Sequence, residues 1–444
     1  MSPTDPQGAI PVYDLVGVGF GPSNLALAIA VEEHNGRAGQ DPVTAVFLER
    51  QGSFGWHRGM LLEDATMQVS FLKDLVTLRN PTSEYSFVCY LKERDRLIDF
   101  INHKSFFPLR VEFHDYLEWA AAKVDDMVQY GHEVDEVVPV VRDGVVEAFD
   151  VLVRHAGGVS SYRARNLVVA TGLRPQIPSG VDSSERIWHS RDLLTNIGRL
   201  DGADPSRFVV VGAGQSAAEV TAFLHERFPR AEVCGVFSRY GYSPADDSSF
   251  ANRIFDPAAV DDYFGAPPEI KTMLMNYHSN TNYAVVDNDL IEELYRRTYR
   301  EKVNGARRLR LLNVSRLAGA KEAQDGRVEV TIETLTTGEL STLETDVLIC
   351  ATGYQPVDPF PLLGDVARHY RRDEFGRAVV ERDYRIVAGP SVAAGVYLQG
   401  GTEHTHGITA SLLSNAAVRS GEIIESIAAR LSADRPLAVA ATIG

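Results

Sequence analysis

The stretch Asp14-Leu-Val-Gly-Val-Gly-Phe-Gly-Pro-Ser-Asn24 constrains this chain more than any other. Its apolar run Leu15 to Val18 reads as a buried strand, Gly17, Gly19 and Gly21 follow at spacing two, and Asn24 to Ala30 reads as a helix. Strand, glycine turn and helix open a βαβ unit of the dinucleotide-binding type. The glycines let the backbone turn tightly and approach a pyrophosphate, whose charge sits against the helix N-terminus. With Gly17 as its first glycine, the fingerprint asks for Gly or Ala at position 22, where this chain has Pro22. Proline suits the first turn of a helix, so Pro22, Ser23 and Asn24 remain compatible with a phosphate site. Taken alone, the motif is equally an ordinary tight β–α turn.

It does not stand alone. Glu49 ends the next apolar strand, where an acidic residue binds the ribose hydroxyls of an adenosine. A second strand–turn–helix unit lies at Arg207-Phe-Val-Val-Val-Gly212-Ala-Gly214-Gln215-Ser216-Ala217 and is a cleaner G-x-G-x-x-A. The strand after it, Val233 to Phe237, is followed by Arg239 rather than an acid, and an arginine there accommodates a 2′-phosphate. Two such turns imply two nucleotides, FAD on the first and NADPH on the second.

The net charge of −16 argues against nucleic acid, which requires a basic face. The three cysteines, Cys89, Cys234 and Cys350, form no C-x-x-C pair, so neither a redox disulfide nor a zinc knuckle is signalled. No apolar stretch reaches the roughly 18 residues of a membrane span, and no secretion signal opens the chain. A soluble, cytoplasmic setting without membrane partners is expected.

Residues 1–11 read as a disordered N-terminus. Lys73 lies in a mostly apolar segment, Met67-Gln68-Val-Ser-Phe-Leu-Lys73-Asp-Leu-Val-Thr77, either as a snorkelling surface residue or as a cation awaiting an anion. Ala-Thr-Gly follows a buried strand twice, at Ala170–Gly172 and Ala351–Gly353. That recurrence predicts an α/β fold of two Rossmann-like domains, the second inserted into the first. The expected boundaries are 12–200 and 347–444 for FAD and 205–346 for NADPH. Within the latter, residues 240–300 form a smaller, mostly helical lid or substrate platform. His404 and His406 invite a metal reading, but no third ligand is near, and loop histidines bonded to backbone fit better. The helix start after them is placed to face the flavin ring.

The quoted motifs resemble the flavin-dependent N-hydroxylating monooxygenases, within them the L-ornithine N5-monooxygenases of siderophore and peptide biosynthesis, from about Tyr13 to Ser426. The segments Met67-Gln-x-Ser-Phe-Leu-Lys-Asp-Leu-Val-Thr and Thr405-His-Gly-x-x-x-x-Leu-Leu-Ser414 carry the resemblance most specifically. It implies that Lys73 binds the substrate carboxylate and that Asn252, Asn282 and Ser414 complete the substrate site, with Lys73 and Asn282 counted as catalytic. FAD contacts fall at Gly17, Gly19, Gly21, Pro22, Ser23, Asn24, Glu49, Trp56, His57, Gln68, Val134, Ser411, Leu412 and Leu413. NADPH contacts fall at Gly212, Gly214, Gln215, Ser216, Ala217, Arg239 and Asn282.

The implied reaction converts L-ornithine, NADPH and O2 through a flavin C4a-hydroperoxide to N5-hydroxy-L-ornithine, in a homo-oligomer, tetrameric by analogy. A lysine N6-hydroxylase shares this framework and differs by one methylene in its substrate. A carbonyl-oxidising flavin enzyme fits less well, having no role for the Lys73 and Asn282 segments, and a disulfide reductase lacks its paired cysteines. A non-catalytic redox sensor is the alternative from another class.

Overall fold

The computed structural model describes residues 10–434, so the expected disordered stretch lies outside the described residues except for Ile10 and Pro11. Strands β1 (Val12–Val18), β2 (Ala45–Glu49), β3 (Val128–Tyr130), β4 (Glu133–Arg142), β5 (Val145–His155) and β6 (Gly158–Val169) form the first sheet, in the order β3-β2-β1-β6-β5-β4. Alternate residues of β1 feed two cores on opposite faces. Leu15 joins Phe47, Phe87 and Tyr116, whereas Val16 and Val18 join Phe149 and Leu167. A parallel sheet covered on both faces requires such a continuous apolar run. The helix Pro22–Asn35 is apolar nearly all round because it lies between this sheet and the helix Ala416–Asp434.

β6 has two halves. Its residues 163–169 run parallel to β1, while residues 158–164 pair antiparallel with β5. The chain then leaves through β7 (Leu173–Pro175). The second sheet is built from β8 (Ile187–His189), β9 (Arg207–Val211), β10 (Glu232–Val236) and β11 (Leu309–Leu312). An antiparallel meander of β12 (Ser315–Glu322), β13 (Val328–Thr334) and β14 (Glu339–Thr345) leads to β15 (Val347–Cys350), which completes the second sheet in the order β11-β10-β9-β15-β8. The return strand β16 (Tyr354–Pro356) pairs antiparallel with β7, and β17 (Gly395–Leu398) rejoins the first sheet beside β6. Both passages between the sheets therefore lie side by side.

Sheet membership moves the expected boundaries. β8 and β15 belong to the second sheet, although they fall inside the ranges 12–200 and 347–444. The helix Asn288–Val303, expected in the insertion 240–300, buries Leu294 in the core of the second sheet. It is the crossover helix between β10 and β11, so the excursion proper is the short-helix region Ala251–Thr281. No helix among the described residues is long and apolar enough to cross a membrane.

The repeated Ala-Thr-Gly has a packing cause. Gly19 (φ +82°) lies so close to β6 that an added Cβ would stand 2.6 Å from Ala170 O, and Gly212 (φ +145°) would place one 2.2 Å from Ala351 O. The turns thus correspond as Gly19-x-Gly21-x-x-Asn24 and Gly212-x-Gly214-x-x-Ala217. This corrects the register beginning at Gly17. Gly17 is a strand residue whose Cβ would collide with the Phe47 ring at 2.3 Å, and the departure from the fingerprint is Asn24, not Pro22. Gly212→Ala combines a left-handed φ with a backbone clash and should cost about 2–4 kcal/mol. A thermal unfolding midpoint equal to that of the parent protein would contradict this.

Candidate functional site

The two glycine turns and the loops around them meet at the C-terminal edges of the parallel strands, where open α/β sheets bind ligands. Gly21 caps the helix Pro22–Asn35 with Pro22 in its first turn, and a Cβ on Gly21 would meet nothing within 4 Å. Asn24, fully buried, donates its Nδ2 to Gly19 O at 2.7 Å and so staples the turn. The Glu49 carboxylate accepts from Phe20 N at 2.7 Å and Gln51 N at 2.9 Å, which fixes it at the tip of β2 with lone pairs to spare for ribose hydroxyls. Val134 lies beside this end, because His132 N donates to Glu49 O at 2.8 Å. Ser23 Oγ accepts from Arg419 at 3.1 Å.

Trp56 and His57 follow on a loop, their rings edge to face at 4.5 Å. His57 adopts φ +50° and faces Tyr354 at 6.1 Å. Its side chain keeps accessible surface although neighbouring groups crowd it. That enclosure, reinforced by Arg110 and Arg191, lowers its pKa to about 4, so the ring is neutral at neutral pH.

Lys73 is half-buried, and its Nζ lies 5.4 Å from the Phe255 ring centroid. Burial lowers its pKa, against which Asp256 acts. The loop that carries it is pinned by Asp74, whose buried carboxylate accepts from Val76 N (3.0 Å), Thr77 N (2.7 Å), Thr77 Oγ1 (2.9 Å) and Phe87 N (2.8 Å). Asp74 carries no expected role from the sequence. Its signal is the turn pattern Asp-x-x-Thr, a side chain closing onto the backbone two and three residues ahead.

Asn252 lies three residues before Phe255, its amide donating to Asp247 O at 2.6 Å and Ser248 O at 3.3 Å. Thr409 Oγ1 reaches Ile254 O at 2.7 Å, which ties this segment to the loop carrying Ser411, Leu412, Leu413 and Ser414. Asn282 ends a short 3-10 turn, and the neighbouring Tyr283 hydroxyl donates to Glu403 on the same C-terminal loop. Ala284 lies against the second turn, 3.4 Å from a Cβ built on Gly214, and its carbonyl accepts from Arg239 Nη1 at 2.8 Å. Lys73 and the 252–256 segment therefore come together on one side. Asn282, Gly214 and Arg239 come together on the other, with the 403–415 loop touching both groups.

Gln68 and Gln215 meet across the sheets. Both donate Nε2 to Asp287 Oδ2, at 2.6 and 3.2 Å, and Asp287 N returns a bond to Gln215 Oε1 at 2.8 Å. Gln215 also donates to Glu219, which is paired in bidentate fashion with Arg110 at 2.7 and 2.9 Å. Asp287 and Arg110 had no signal in the sequence, their partners being distant along the chain.

Several buried polar atoms have no partner among the described residues, including Thr402 Oγ1, Ser414 Oγ and Asn415 Oδ1. Buried polar atoms ordinarily find one. With the open face at Gly21, these atoms fit a bulky polar cofactor running from the first glycine turn to the 402–415 loop, which agrees with FAD. Among the described residues no cluster could hold a metal ion. His404 and His406 bond to the carbonyls of Ala378 (2.8 Å) and Arg382 (3.2 Å), and burial lowers the pKa of His406 to about 4.

A family profile described as L-lysine 6-monooxygenase/L-ornithine 5-monooxygenase matches residues 11–356. An L-ornithine N(5)-monooxygenase of Burkholderia cepacia is 44% identical over 404 residues, covering 89% of this chain and 90% of its own. The structure of a Kutzneria sp. 744 ornithine N-hydroxylase, described with reduced FAD, NADP+ and L-ornithine, superposes with a TM-score of 0.91 at 49% identity, covering 95% of this chain and all (100%) of the other. An L-lysine 6-monooxygenase of Pseudomonas syringae superposes at 0.83 with 30% identity, over 94% and 100% of the two chains.

The Arg110–Glu219 pair, with side chains 12% and 6% exposed, generates a stability prediction. Glu219→Ala leaves a buried guanidinium unpaired and should cost about 3–5 kcal/mol, whereas Arg110→Met with Glu219→Leu should stay within about 1 kcal/mol of the parent. Urea denaturation of the three proteins measures this, and equal losses in single and double variants would show that the pairing is not what matters.

Proposed function

The chain belongs to the L-lysine 6-monooxygenase/L-ornithine 5-monooxygenase family, and we propose that it hydroxylates the side-chain amine of L-ornithine with Lys73 as the anchor of the substrate carboxylate. The balanced reaction is L-ornithine + NADPH + H+ + O2 giving N5-hydroxy-L-ornithine, NADP+ and water. When bound, FAD supplies the activation of dioxygen with electrons drawn from NADPH.

The observation that carries the reading is a half-buried ammonium without an ion pair among the described residues, on a loop that Asp74 holds through four hydrogen bonds. A carboxylate bound there restores what burial takes from the cation. Asn252 lies one turn from Phe255, against which Lys73 packs, and with its nitrogen committed to Asp247 O and Ser248 O it offers its amide oxygen to the α-ammonium of the amino acid. Asn282 lies two residues before Ala284, which rests against the second nucleotide turn, and in this reading its amide serves both the substrate and the nicotinamide side. Ser414 Oγ is buried and without a partner among the described residues, available to a substrate or flavin oxygen. The far amine of ornithine reacts only when neutral. Removal from water lowers its pKa, so the site needs no separate base. Arg239, held by Ala284 O, presents its remaining donors where a 2′-phosphate selects NADPH.

Ornithine is favoured over lysine because the ornithine enzyme of known structure is 49% identical and the lysine enzyme 30%. One methylene is worth about 1–3 kcal/mol in a binding site, so discrimination is real but bounded. Mass analysis of products from the FAD- and NADPH-supplied enzyme, given ornithine and lysine together, should show hydroxyornithine as the dominant product. Equal products, or hydroxylysine in excess, would overturn the assignment.

Lys73→Ala should raise the ornithine KM at least about tenfold while NADPH oxidation without substrate persists. Only the ammonium form binds a carboxylate. Affinity therefore falls as pH rises through a folded-state pKa below the usual 10.5. The alkaline rise in KM should be present in the parent and absent from Lys73→Ala, and identical pH profiles would remove Lys73 from this role.

A further inference from the structure

Arg419 heads the fully buried side chains, 1% exposed, and no ion pair involves it among the described residues. The nearest acid along its helix, Glu422, is committed to Arg382 in a bidentate pair at 2.8 and 2.9 Å. The hydrogen bonds of the guanidinium all go to neutral acceptors: Gln399 Oε1 at 2.8 Å, Ala410 O, and Ser23 Oγ at 3.1 Å. A guanidinium remains charged even where burial pulls its pKa down, as it does here. Burying an unpaired charge is costly unless a counter-charge is placed nearby.

The direction in which this charge is aimed is specific. Ser23 is the second residue of the helix Pro22–Asn35, whose N-terminus Gly21 caps and leaves open. Gln399, the second partner, donates Nε2 to Ser23 O at 2.9 Å, so two of the three acceptors converge on the same turn of helix. The third, Ala410 O, belongs to the loop that carries the orphaned Ser414. Helix N-terminus and buried cation add their positive potentials at one spot.

We propose that Arg419 is the buried counter-charge of the FAD diphosphate, a positioning residue that acts through Ser23 and Gln399 on the first glycine turn. The inference rests on the FAD dependence stated under the proposed function. Failure of the parent apoprotein to take up FAD would remove that premise, whereas the variants below test Arg419 itself.

Arg419→Gln removes the charge and keeps an amide donor, while Arg419→Lys keeps the charge and loses the fork. Flavin fluorescence titration of apoprotein should give an FAD Kd at least about tenfold weaker for Arg419→Gln and less than about threefold weaker for Arg419→Lys. A packing role moves both variants alike, so equal losses overturn the proposal, as does an Arg419→Gln Kd within about twofold of the parent. Should Arg419→Gln not fold, Gln399→Leu removes an oxygen that receives the guanidinium without altering a residue expected to contact FAD. An FAD Kd unchanged by Gln399→Leu likewise overturns the proposal, and a several-fold weaker one supports it.

Discussion

Two carbonyl oxygens, Ala170 O and Ala351 O, lie where side chains on Gly19 and Gly212 would have to be. The close approach brings each glycine turn down onto the end of the neighbouring strand and points each following helix away from that edge. Everything with chemical potential is then gathered at the same level. Glu49 ends β2, Arg239 follows β10, and the Ala251–Thr281 excursion touches both the Lys73 loop and the 403–415 loop. Without that contact the backbone amides of neither turn would face the space those loops enclose.

What could be read in the sequence was local. Both nucleotide turns, the acid at the end of β2 and the arginine after β10 are short-range patterns, and the repeated Ala-Thr-Gly announced two similar units. The register of the first turn was not legible, because Gly17, Gly19 and Gly21 offer two equally spaced fingerprints. Only the pairing of β1 with β2 and β6 shows which glycine meets a carbonyl and which meets Phe47. Lys73 was ambiguous for a related reason: periodicity reports which face a residue occupies, and a loop has none. The motif around it spoke through resemblance, and the physical support, Asp74 bonding across to Phe87, becomes visible only in three dimensions.

The polar contacts between the two halves were illegible altogether. Gln68 meets Asp287 across 219 residues of chain, and Arg110 meets Glu219 across 109. Neither pair leaves a spacing that sequence can display. They share one carboxylate network, Gln68–Asp287–Gln215–Glu219–Arg110, in which residues expected to contact separate cofactors are joined through acids that were assigned to neither. Such a network constrains how the two sheets meet, since every member but the terminal Gln68 is held by more than one bond.

The adjacency of β7 and β16 has an architectural meaning. The polypeptide departs from the first sheet and comes home at neighbouring points, joined by three paired residues on each strand. The whole second sheet, with its meander and its helical excursion, is thus a cassette hung from one seam. Every covalent link between the two sheets passes through residues 173–175 and 354–356, while Met60, Leu62 and Ala65 enter the core of the second sheet and hold it from outside that seam.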